Sequence, residues 1–100
     1  MNEREQAREE QLRTEQARLA AHERIGAQLA GSKERSEKLL MAARAEVQRW
    51  ASLQLCTQDY IDRWNEWLAL PVSELVARMC SDADGWGTAM RQNSPFVDLR

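Results

Sequence analysis

No aromatic residue precedes Trp50, although the chain of 100 residues contains four Trp, one Tyr and one Phe. The first half therefore cannot build a core from large rings, and only the second half has the bulk for a compact one. Proline occurs twice and glycine four times, so few positions can interrupt a helix. Histidine occurs once, as His22, and cysteine twice, as Cys56 and Cys80. That set falls short of the three or four closely spaced nitrogen and sulfur ligands of a zinc site. His22 lies among charged helix formers with no Cys or Asp beside it, so it reads as a solvated helix residue rather than a general base. No catalytic, metal-binding or cofactor-binding residue is assigned, and a non-enzymatic protein is expected.

Other absences bound location and partners. No apolar run approaches the ~18 residues that a membrane-spanning helix needs. The opening Met1-Asn2-Glu3-Arg4-Glu5 is not the basic-then-apolar leader of an exported protein. A soluble, cytoplasmic protein with no membrane partner is expected, with its two thiols reduced. There is no excess of one charge: 14 basic and 16 acidic residues give a net charge of −2. Residues 1–50 carry 10 basic and 9 acidic side chains, and residues 51–100 carry 4 and 7. Neither half forms a global electrostatic clamp for nucleic acid.

What the first half does contain is straight-chain helix formers. Residues 2–30 are rich in Glu, Gln, Arg, Ala and Leu, with Gly26 the one glycine. Leu12 and Leu19 lie seven apart, and the same register runs on through Gly26, Lys33, Leu40 and Val47, so the apolar seam is interrupted in its middle. A coiled coil wants both a and d apolar over three or four heptads. The segment reads either as an arm that pairs with a second copy or a partner helix, or as a thinly amphipathic helix docked further along the chain. Ala30-Gly31-Ser32 is the clearest break, with Gly31 suited to a left-handed C-terminal position and Ser32 to capping the next helix.

From Lys33 the pattern strengthens. Leu39, Leu40, Ala43, Val47 and Trp50, with Leu53 as a further candidate, fall at three and four spacings, which predicts a second helix with a buried stripe. Thr57 is a good N-cap for a third helix over about 58–69, carrying Tyr60, Ile61, Trp64, Trp67 and Leu68. Pro71 ends it and suits the first turn of a fourth, in which Val72, Leu75, Val76, Met79 and Cys80 repeat at helical spacing. A loop over residues 81–87 leads to a short helix ending near Gln92, and an extended tail follows through Pro95. Asp82-Ala83-Asp84-Gly85 has the opening of a calcium loop, but the glycine comes two positions early and Asn93 stands where the bidentate Glu belongs. The last helices could be drawn as a helix-turn-helix, yet the candidate recognition helix has Arg91 as its sole cation.

Tyr60-x-x-x-Trp64-x-x-x-Leu68, followed by Arg91-Gln92-Asn93-Ser94-Pro95-Phe96, resembles the closing half of small bacterial proteins carried on plasmids and phages, some of them regulators or antitoxin-like. The resemblance spans about the last forty residues and implies a non-enzymatic role, without bringing site residues.

The resulting expectation is an all-α protein: a charged helical arm over 1–31, either a single helix, a hairpin or a coiled coil, then a helical bundle over 32–100. Its core would be Trp50, Tyr60, Trp64, Trp67, Leu68, Leu75, Val76, Met79 and Trp86. The expected function is that of a small protein-binding regulator or inhibitor, of antitoxin, anti-activator or phage-borne type, that masks another macromolecule. Its partner-binding residues would be Leu12, Leu19, Ile25 and Leu29 on the arm and Phe96 on the tail, where Phe96, Val97 and Leu99 either fold back or are offered to a partner. The alternatives are a self-associating helical scaffold, including a homodimer, and a DNA-binding repressor.

Overall fold

In the computed structural model, which describes residues 2–82 and 84–96, the chain is all-α: five helices and no strand among those residues. They are α1 (Glu3–Leu29), α2 (Lys33–Leu53), α3 (Gln58–Leu68), α4 (Val72–Met79) and α5 (Gly87–Gln92). At about 1.5 Å per residue, the 27 residues of α1 span roughly 40 Å. This helix accounts for most of the long axis of a molecule measuring 48 × 31 × 25 Å.

The helix boundaries follow from local chemistry. Asn2 caps α1 by accepting the Glu5 N–H at 2.9 Å, and Ser32 caps α2 by accepting that of Arg35 at 3.2 Å. Gly31 does not take the left-handed conformation expected of it; Gly85 is the one described glycine with positive φ. The left-handed residue at a helix end is instead Gln54, at φ 54°, where Leu55 N–H reaches back to the Trp50 carbonyl at 2.9 Å in a Schellman-type closure. Thr57 occupies the N-cap position of α3 without a side-chain bond, and Pro71 that of α4.

The core forms around Trp64, which is fully buried. Its ring meets Trp67 edge-on at 5.2 Å and Phe96 at 6.0 Å, and its indole N–H donates to the Asn93 carbonyl at 2.7 Å. A buried Trp is stable only when that N–H finds an acceptor, and here the C-terminal segment provides it. Val47, Ile61, Leu75, Met79 and Met90 complete the interior. Tyr60, Val76 and Trp86, expected inside, are half-buried at its margin. Trp86 is held there by the Tyr60 ring and by the Arg63 guanidinium lying 4.1 Å over its face.

The division at residue 31 needs correction. Ile25 and Leu29 belong to the same core as the tryptophans, and α1 packs against α2, α4 and α5. A Cβ on Gly26 would come within 2.8 Å of a Val76 methyl, so α1 and α4 cross where α1 has no side chain. Only the first half of α1 behaves as an arm: residues 2–14 are all exposed. Val97 and Leu99 lie outside the described residues, and no described helix is long and apolar enough to cross a membrane.

Candidate functional site

The densest polar chemistry of the fold lies where the inner half of α1 meets the segment after α5. His22, Ile25 and Leu29 recur at three and four spacings, so a face that buries Ile25 and Leu29 also carries His22 inward. His22 is 5 % exposed, which corrects its reading as a solvated residue. Its Nδ1 lies 2.7 Å from the Arg18 carbonyl oxygen and its Nε2 lies 2.8 Å from Ser94 Oγ. A carbonyl can only accept, so Nδ1 carries the proton and Nε2 accepts from the Ser94 hydroxyl. Ser94 Oγ in turn accepts the Phe96 N–H at 3.1 Å. One directed chain of hydrogen bonds thus runs from Phe96 through Ser94 and His22 to Arg18.

This chain requires a neutral imidazole. Burial lowers the His22 pKa, the Arg18 carbonyl opposes that, and the nearby Arg91 charge lowers it further. A Ser–His pair at 2.8 Å has the spacing of a nucleophile and its base. Here, however, a backbone carbonyl stands where a triad has a carboxylate, so no negative charge compensates an imidazolium. The hydroxyl is also engaged by the Phe96 N–H. The arrangement is suited to fastening the C-terminal segment to α1.

Arg91 is the second fastener. Its side chain is 3 % exposed, and Nη1 donates to the Met79 carbonyl at 3.1 Å while Nη2 bridges both carboxylate oxygens of Asp82 at 3.0 and 3.1 Å. Partial burial pushes the Asp82 carboxyl up, but hydrogen bonds from Thr88 and Arg91 outweigh it and hold the pKa below its ordinary value. A Cβ on Gly87 would collide with the Ser81 carbonyl oxygen and the Asp82 carboxylate, so this approach of the loop to α5 needs glycine. Asp82 is thus the counter-ion of Arg91, and the described residues hold no group of three or more His, Cys, Asp or Glu placed to grip a metal. Buried and neutralised, Arg91 cannot serve as the phosphate contact of a recognition helix.

Residues 91–96 consequently have structural tasks. Besides Arg91 and Ser94, Asn93 gives its carbonyl to Trp64 and its amide to the Ala89 carbonyl at 3.0 Å, and Pro95 and Phe96 are buried. Of the five predicted partner-binding residues, Ile25 (2 % exposed), Leu29 (3 %) and Phe96 (5 %) have their surface covered by this chain. In this fold, against the expectation, they present almost no surface to a partner. Leu19 is half-buried, and Leu12, 51 % exposed, is the one left fully open. Met41 and Leu55 are exposed as well, and so is Leu53, which the helical spacing places as a candidate for the buried stripe of α2 but which lies at the last residue of that helix. Cys56 and Cys80 are free thiols, both half-buried, with burial raising the pKa of Cys80.

Alongside this network runs a groove of about 460 Å³ between α1 and the 91–96 segment. Thr14, Ala17, Arg18, Ala21, His22, Arg24 and Ile25 line it from α1, with Arg91, Gln92, Ser94 and Phe96 opposite. No family model, curated protein or solved structure matches the chain.

Proposed function

We propose that this protein is a small protein-binding regulator that masks a partner macromolecule, in the manner of an inhibitor or antitoxin, with the outer half of α1 as its contact surface. The observation that supports this reading is the exposure of every residue from Asn2 to Thr14 on a helix whose other half is built into the core. A helical segment of that length is marginal in water by itself, and this one has no apolar face to bury against its own chain. Its value lies in presenting Leu12 and a lattice of Glu and Arg side chains at a fixed angle from a rigid base, with half-buried Leu19 further along the helix. Rigid presentation lowers the ordering entropy that binding would otherwise lose.

The experiment is a deletion of residues 2–14. The truncated chain should keep its fold, because those residues contribute nothing to the core, and should lose its partner. The partner is first isolated with the full chain and then titrated, as a purified protein, against both forms. Retained affinity in the truncated form would end this reading. Light scattering of the full chain adds a second outcome: a concentration-dependent dimer that the deletion abolishes would replace masking by self-association.

A further inference from the structure

The groove beside α1 has a composition at odds with the molecule as a whole. The protein carries a net charge of −2, yet no carboxylate lines the groove among the described residues, while Arg18, Arg24 and Arg91 all do. Arg91 is neutralised by Asp82, whereas Arg18 and Arg24 form no ion pair among the described residues. The wall is also short of acceptors: Arg91 Nε is buried and meets none. The floor is apolar, made by Ala17 and Ala21 one turn apart on α1, with Ile25 and Phe96. The two alanines open the groove, since any longer side chain at those positions would project into it.

An apolar trough with two uncompensated guanidinium groups at its edge has a defined chemical complement. We propose that this groove is a binding site for a small organic carboxylate with a short apolar body, such as a medium-chain fatty acid. The carboxylate would lie between Arg18 and Arg24 in charge-assisted hydrogen bonds, and the hydrocarbon would run over Ala17 and Ala21, meeting Ile25 and Phe96 only at the edges that reach the groove. The volume falls within the range of about 300–1,000 Å³ usual for small-ligand pockets. Neutral His22, already bonded on both nitrogens, forms part of the wall and takes no charge from the ligand. This site does not depend on what the outer half of α1 binds.

The test is a titration of the full ¹⁵N-labelled chain with sodium octanoate at low ionic strength, read by amide chemical shifts. Saturable shifts confined to residues 14–25 and 91–96 are expected, with little response to octylamine or to 1-octanol. The double substitution Arg18→Gln with Arg24→Gln should weaken octanoate binding at least tenfold while leaving the helical circular dichroism unchanged. Ala17→Leu, which fills the trough and keeps both arginines, should weaken it comparably. Three results would overturn the proposal: no saturable shift with octanoate, equal binding of 1-octanol, or undiminished binding by the arginine double variant.

Discussion

The two halves of α1 are made from the same residue types and do different things. From Asn2 to Thr14 every residue is exposed, while His22, Ile25, Gly26 and Leu29 in the second half are buried. Both halves are rich in Glu, Gln, Arg and Ala, so intrinsic propensity makes one continuous helix of them. What separates them is the spacing of a few positions. Four buried residues at three and four spacings define a face narrow enough to dock against α2, α4 and α5, whereas Leu12 has no apolar neighbour a turn before it. Propensity decides that the segment is helical; a handful of side chains decides how much of it belongs to the fold.

Truncation at matched positions breaks that comparison most severely. Ile25→Ala removes a buried side chain from a core that cannot fully close over the gap, and should cost about 2–5 kcal/mol in denaturant unfolding. Leu12→Ala, the same kind of change on the exposed half, should stay within about 0.5 kcal/mol of the parent. Equal losses at the two sites would mean that the outer half is covered in solution.

A pH titration sharpens the comparison at the inner half, where the imidazole is buried. The His22 pKa is lowered by burial from its ordinary value of 6.5, so the unfolded chain takes up a proton at a higher pH than the fold does. Stability from this group is therefore fully present above about 6.5 and is lost as pH falls from there through the lower, folded value. The charge that acts on the ring is that of Arg91 from α5, and being positive it disfavours the imidazolium. Urea midpoints should be level between pH 8 and 7 and then decline toward pH 5.5, and His22→Gln should flatten that decline. An unchanged slope in the variant would place the titration elsewhere.

Much of this architecture can be read from sequence, and the exceptions share a cause. The helices, the break at residues 30–32 and the Trp-centred core follow from period and capping residues that lie close together in the chain. His22 looks solvated from sequence because its partner Ser94 is 72 residues away and its immediate neighbours are charged. The signal that could have found it was its register with Ile25 and Leu29, which outweighs the polarity of the residues between them. The burial of Arg91 has no local signal either: the Asp82 carboxylate and the Met79 carbonyl that surround it lie 9 and 12 residues away. The arginine-lined groove required both halves of the chain in place. Residues that act through long-range pairing leave a local trace only in their periodicity, and a polar residue on an apolar period is the one to suspect of being buried.

The smallest expected effect tests whether the outer half of α1 is coupled to the core at all. Asn2 accepts the Glu5 N–H at 2.9 Å and so satisfies one of the donors at the exposed end of the helix. Asn2→Ala removes that bond, a local loss of about 1 kcal/mol in helix formation. Because residues 2–14 touch none of the core, fraying that begins at Asn2 has nothing to transmit to Trp64. Amide exchange in the first two turns should accelerate several-fold while exchange in α3 and the thermal midpoint stay where they were. A fall in the midpoint of several degrees would show that the outer turns stabilise the fold, and the two halves of α1 would then be one cooperative unit rather than a base and an arm.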